Sequence, residues 1–155
     1  MDRNPALVRS LNRLIATLSD TIAQYDAAAE HAHSYGAYAE YARDIAMRRA
    51  IVRQLGATVT DLGGAPRRGG TVRGWIKTRF IHLYGIGVGN ELFALRLFEH
   101  EERQLISCIE ALVVNDDVPV ALRHELAEVV GQLDEELTRL EWFHRGASEG
   151  TSIAC

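Results

Sequence analysis

A charged residue interrupts each of two apolar series in this sequence. Arg48 stands among apolar residues spaced three and four apart, and Glu102 stands in a later series of the same kind. A buried charge is destabilising unless an opposite charge and hydrogen bonds compensate it. We therefore expect Arg48 and Glu102 to pair in a buried core, with Tyr25 or Tyr41 completing the hydrogen bonding.

This buried polar pair admits three interpretations. It can fix the register of the helices, as polar residues do in coiled coils. It can replace a lost metal site or line a small polar pocket. In the third interpretation, both side chains reach the rim of the core and do not meet.

Metal ligation requires donor residues at helical spacing. A Glu and a His three positions apart share a helix face and can bind one ion. Glu141 and His144 have this spacing, but their position near a helix end suits a surface charge and a dipole-stabilised His. Two stretches on the long helices, 47–50 and 134–138, carry no His at the ligand offset. We predict neither a bound metal nor a cofactor.

The segment 43–79 is strongly basic, with nine basic and two acidic residues. Guanidinium groups bind phosphate through paired N–H donors, and Trp75 and Phe80 lie nearby, as aromatic residues do in some single-strand binders. The sequence pI of about 5.9 argues against a dedicated nucleic-acid protein. The candidate anion-binding residues are Arg67, Arg68, Arg73, Lys77 and Arg79.

Apolar residues recur at helical spacing along most of the chain, and no segment has the alternating period of a strand. Asn4 and Pro5 favour a helix start. Glycines at 85, 87 and 89 mark either a loop or a helix kink, and residues 146–155 are expected to be a flexible tail. The predicted helices cover about 5–34, 37–62, 71–84, 90–114 and 119–145, the third being short and amphipathic. This all-α pattern predicts an up-down four-helix bundle with the short helix in the crossover.

Four short motifs lie at separate places in the chain. They are Asp20 with Tyr25, LGGAP at 62–66, GTVRGW at 70–75, and Glu99 with Glu102. Over residues 7–143 they resemble a bacterial family of small helical proteins, domain of unknown function 2383. The resemblance implies a ferritin-like four-helix bundle and supplies no established activity. Such bundles often hold two metal ions between inward-facing Glu and His ligands.

Asp20 belongs to these motifs, but its position does not suit a ligand. It lies about 200° from Leu18 around the helix. We therefore expect Asp20 to face away from the core.

The composition is that of an ordinary folded domain. The 155 residues are 47% apolar and 25% charged, which allows a sizeable core. The sequence has no apolar run of about 20 residues, its first ten residues lack the apolar run typical of a signal peptide, and its two cysteines lie far apart. We expect a cytoplasmic protein with no membrane contact.

Charge is divided unevenly along the chain. Residues 1–84 carry 12 basic and 7 acidic side chains, whereas residues 85–155 carry 5 basic and 14 acidic ones. The two halves either attract each other in the fold or leave a basic face for an anionic partner.

These observations favour a non-catalytic protein with a structural or protein-interaction role. We expect a homo-oligomer, a dimer or larger, in which the segment 75–83 either caps the bundle or contacts a second subunit. A different protein partner is also compatible with the sequence. Two alternatives come from other classes: a metal-binding ferritin-like oxidoreductase or storage protein, and an anionic-ligand or nucleic-acid binder acting through residues 43–79.

Overall fold

The computed structural model describes residues 4–32, 35–76, 78 and 88–152, and every regular element in these ranges is helical. The all-helical prediction is therefore confirmed for the described residues. Four helices are long: α1 (Pro5–Glu30), α2 (Tyr35–Asp61), α4 (Val88–Val113) and α5 (Val120–Ser152). A short helix, α3, covers residues 72–76 between α2 and α4.

The chain divides into two compact units, Met1–Tyr84 and Gly85–Cys155. In the first unit α1 packs against α2, and in the second α4 packs against α5. Each pair buries the apolar stripe that its sequence spacing predicts. Buried members include Leu11, Leu18, Leu55 and Val59 in the first unit, and Leu105, Ile109, Leu126 and Leu133 in the second.

Asn4 begins α1, because its Oδ1 accepts a hydrogen bond from the backbone N–H of Leu7 at 3.0 Å, with Pro5 at the first helical position. The helix ends at Glu30, where the His31 N–H bonds to Ala28 O at 3.2 Å. The predicted break between the first two helices, after 34 and before 37, falls two residues too late, because α2 begins at Tyr35 and Gly36 lies in its first turn. Glycine is less costly there than in a helix interior, because the first N–H groups have no helical partner in any case.

Two other helix ends differ from the sequence prediction. The helix α4 begins at Val88, two residues before the predicted start at 90, so Gly89 is helical. The helix α5 passes the expected end at 145 and continues to Ser152. A single glycine costs a helix only about 1 kcal/mol relative to alanine, and no proline follows Gly146 to force an end. Residues 85–87, 153–155 and half of the predicted helix 71–84, namely 77 and 79–84, lie outside the described residues.

Candidate functional site

The segment that follows α2 lies along one face of α1. We call residues 62–71 the strap. At its start, Asn12 Nδ2 donates to Ala65 O at 3.0 Å, and the Arg67 N–H donates to Asn12 Oδ1 at 2.7 Å. At its end, the carboxylate of Asp20 accepts from Thr71 N and from Thr71 Oγ1, each at 2.6 Å. Asn12 and Asp20 are eight residues apart, so the strap follows α1 for about 12 Å.

Asp20 fixes α3 as well as the strap. The Thr71 hydroxyl that donates to Asp20 also accepts from the Gly74 N–H at 3.1 Å, so it caps α3. A Cβ on Gly70 or on Gly74 would overlap the Asp20 side chain. The GTVRG spacing is thus explained by the close approach of this backbone to one carboxylate.

The glycines at the other end of the strap have a different role. Gly63 has φ 73°, a left-handed conformation that favours glycine and ends α2. The Gly64 N–H then bonds to Val59 O at 2.9 Å. A Cβ on Gly64 would lie 2.6 Å from Val8 Cγ1, so only glycine lets the chain pass this close to α1.

Sequence reasoning missed the contact of Asp20 with the strap. Asp20 does lie off the α1 face that packs on α2, as expected, but it is half-buried because the strap covers it. The position of Asp20 on the helical wheel reflects only the core and carries no information on a residue 51 positions away. The available signal was the GTVRG motif, whose closely spaced glycines indicate a close backbone approach.

Arg48 lies in the interior of the first unit, with 0% of its side chain exposed. Its Nε donates to Thr21 Oγ1 at 3.1 Å, and Thr21 Oγ1 in turn donates to Leu18 O at 2.8 Å. The guanidinium carbon stands 4.4 Å from the centroid of the Tyr25 ring, a cation–π distance. Arg48 therefore links α1 to α2 through a hydroxyl and an aromatic face.

Tyr25 was predicted to hydrogen-bond in the buried pair, and the contact seen with Arg48 is through its ring face. Tyr41 lies beside Tyr25, with ring centroids 5.9 Å apart. Thr21 and Asp44 are also buried and were not among the predicted core residues. Thr21 lies four residues before Tyr25, and Asp44 lies four residues before Arg48, so the members of each pair share a helix face.

Glu102 lies in the second unit and is 1% exposed. Glu136 on α5 and Glu99 on α4 are buried as well. Glu136 was missed, although its position between Leu133 and Leu140 on the apolar stripe was a usable signal. The pairing of Arg48 with Glu102 stays a prediction.

Glu141, half of the Glu-x-x-His motif, takes part in an ion pair at the protein surface. Its Oε1 lies 2.6 Å from Arg103 Nη2, and the same nitrogen lies 3.9 Å from Glu99 Oε2. A second Glu-x-x-His, Glu30 to His33, was missed in the sequence; Glu30 is exposed, and His33 lies outside the described residues. No three His, Cys, Asp or Glu side chains in the described ranges are grouped so that they could hold a metal ion.

The predicted anion-binding residues gather partly around the strap. Arg67, Arg68 and Arg73 are exposed, while Lys77 and Arg79 lie outside the described residues. Arg9 and Arg13 lie on α1 on either side of Asn12, the residue that bonds the start of the strap, and both are exposed. Sequence reasoning missed these two arginines despite their i, i+4 spacing. Within the part of the chain that the structure describes, Arg9, Arg13, Arg68 and Arg73 form no ion pair.

Beside these arginines, α3 presents an exposed apolar surface. Val72, Trp75 and Ile76 are 78%, 63% and 50% exposed. Their spacing of three and four places them on one side of α3. We call these three residues the α3 face.

The two helical hairpins and the hydrogen-bonded strap define an all-helical class of protein. Within that class, the chain belongs to a family described as Domain of unknown function (DUF2383), whose model matches residues 6–114. The match ends after α4, so α5 lies beyond it, whereas the resemblance was expected to reach residue 143. Comparison with curated proteins and with solved structures gave no match. None of the described helices is both long enough and apolar enough to cross a membrane.

Proposed function

We propose that this protein has a non-catalytic, structural or protein-interaction role and acts as a homo-oligomer. The main support for this proposal is the α3 face, where three large apolar side chains are exposed to solvent on a helix with a fixed position. The hydrogen bonds of Thr71 to Asp20 provide that hold. Contiguous exposed apolar residues are typical of surfaces that bind another protein.

The buried polar groups of the first unit support a structural role. Arg48 is fully buried, and its contacts with Thr21 and Tyr25 join the two helices of the hairpin. A guanidinium that is engaged in this way and shielded from solvent is poorly placed to meet a substrate. Its contacts suit a residue that fixes how α1 and α2 pack.

We also infer the ferritin-like up-down bundle and a bacterial, cytoplasmic setting. Four long helices in two pairs support the first inference, since each pair has a short connection. The family resemblance supports the bacterial setting. The two widely separated cysteines, of which Cys108 is free and exposed, support a reducing compartment.

The oligomeric state of variants tests the interaction role. We expect the wild-type chain to be a dimer or larger by size-exclusion chromatography with light scattering. Trp75→Asp should shift it toward the monomer, because the charge replaces the largest side chain of the α3 face. Trp142→Asp is the matched control, since Trp142 is as exposed as Trp75 but lies on α5. A wild-type protein that is monomeric up to about 100 µM, well above the micromolar Kd range of weak complexes, would contradict the proposal.

Anion binding is a second candidate, favoured by the exposed arginines around the strap. Arg9, Arg13, Arg68 and Arg73 have no acidic partner among the described residues. Binding of a fluorescent single-stranded oligonucleotide should then weaken steeply with salt. The double variant Arg68→Ala/Arg73→Ala should lower the salt slope by about 2, and the exposed Arg53→Ala on α2 by less. Equal slopes for all three proteins would exclude this surface.

A further inference from the structure

A groove on the second unit has the chemistry to receive the α3 face. It lies where the end of α4 faces the first turns of α5 and has a volume of about 560 Å³. A cavity of about 150 Å³ already holds a benzene molecule, so this groove has room for an indole ring and neighbouring aliphatic groups. Its lining includes Glu110, Ala111, Val113, Val114, Ala127 and Val130.

The lining of the groove is mostly apolar, with Ser107 and Glu110 as its polar members, and its apolar side chains are short. Ala111 and Ala127 leave space between the two helices, and the valines provide aliphatic contact. Val114 is exposed and so lies in solvent when nothing covers the groove. Burial of Trp75, Val72 and Ile76 against such a surface would remove apolar area from water on both sides of the contact.

Charge around the two surfaces is complementary. Beside the α3 face stand Arg68 and Arg73, which are exposed and form no ion pair among the described residues. Glu110 lies in the groove, and Asp117 and Glu128 are exposed close to it in sequence. The unequal charge of the two halves of the chain extends this complementarity beyond the two surfaces. Opposite charges around an apolar contact favour one partner and one orientation.

Every copy of the chain carries both surfaces. The α3 face belongs to the first unit and the groove to the second, and both include side chains that are exposed in the single chain. Two copies can therefore meet in a closed pair with two identical contacts, or head to tail. A second copy supplies the shape and the charge that the α3 face requires, whereas a lipid or nucleic-acid surface would leave the groove unused.

We propose that the α3 face of one copy docks in the α4–α5 groove of a second copy, with Arg68 and Arg73 on the side of the acidic groove residue Glu110. This proposal rests on the proposed homo-oligomeric function and names its contact surfaces. It makes the strap a positioning element, because the strap sets where the α3 face stands.

Complementation between two defective variants tests the docking. Trp75→Asp removes the α3 face, and Ala127→Trp fills the groove. Each variant alone should lose at least tenfold in the association constant measured by native mass spectrometry and light scattering. An equal mixture should regain a two-chain species, because the first variant keeps its groove and the second keeps its α3 face. Gln132→Trp, an exposed α5 position outside the lining, is the matched control for the inserted ring.

The outcomes separate this inference from the proposed function. If Trp75→Asp is monomeric while Ala127→Trp still associates, the groove is not the receptor, and homo-oligomerisation through α3 stands. If each variant is monomeric and their mixture is monomeric too, the proposed docking is also wrong. A monomeric wild-type chain would overturn both proposals.

A charge exchange is the second test, and it is used if circular dichroism shows that Ala127→Trp does not fold. Glu110→Arg should weaken association, and mixing it with Arg73→Glu should restore the two-chain species. Restoration supports the docking, and its absence overturns it.

Discussion

One carboxylate holds the end of the strap. Asp20 accepts two hydrogen bonds from Thr71 and is half-buried, so its loss removes two charge-assisted hydrogen bonds. We expect Asp20→Ala to lower the free energy of unfolding by about 2 kcal/mol. Urea denaturation followed by circular dichroism measures the change.

Asp26→Ala is the control for this variant. Asp26 is also on α1, and its carboxylate lies 3.6 Å from Arg49 in an exposed ion pair. Such pairs contribute at most about 1 kcal/mol. If the two variants lose the same stability, the strap hydrogen bonds contribute little.

At the scale of single residues, the sequence indicated burial better than it indicated partners. Arg48 and Glu102 were selected because they interrupt apolar stripes, and both are buried. The contact of Arg48 with the Tyr25 ring was not foreseen, since stripe spacing carries no information on side-chain direction. Arg9 and Arg13 were not predicted as anion-binding residues, because the strap arginines are distant from them in sequence and come near only in the fold.

The strap is an element without helical periodicity, and its geometry depends on small residues. Gly70 has no Cβ where the Asp20 carboxylate lies. We expect Gly70→Ala to destabilise the wild type by about 1–2 kcal/mol, because Asp20 must turn away and lose its hydrogen bonds. In an Asp20→Ala background the overlap is gone, and the same change should be neutral or stabilise by about 0.4–1 kcal/mol.

A thermodynamic cycle of these variants measures the coupling between Gly70 and Asp20. Gly131→Ala is the reference for a glycine with open space around it, and it should stabilise α5 by up to about 1 kcal/mol. Additive effects of Gly70→Ala and Asp20→Ala would show that the strap does not depend on this close approach.

At the scale of elements, the number and type of the long helices could be predicted, because each carries an apolar stripe over about five or more turns. Their ends could not be predicted as well. Gly36, Gly89 and Gly146 all suggested boundaries, but each lies inside a helix. A glycine at one position weighs little against the hydrogen bonds and packing on both sides of it.

At the scale of the whole molecule, the predicted pairing of Arg48 with Glu102 is open to a direct test. We expect Glu102→Ala to destabilise by about 3 kcal/mol, since a buried Arg48 would lose its countercharge. The double variant Arg48→Met/Glu102→Leu should cost much less than the sum of its single changes. Urea unfolding of the wild type, Arg48→Met, Glu102→Leu and the double variant gives the four free energies of the cycle, and additivity within about 0.5 kcal/mol would show that the two residues do not interact.

The strap also sets an order of events for folding. Its hydrogen bonds to α1 join residues 51 to 55 positions apart, whereas helical hydrogen bonds join residues four apart. The entropy of closing so long a loop is compensated only once the α1–α2 hairpin has formed, so the strap docks late. In the folded protein, the strap opens locally when Thr71 leaves Asp20. Because Thr71 also caps α3, this opening releases the strap and α3 together. Exchange of the Thr71 amide hydrogen with solvent therefore reports how often the α3 face leaves its place.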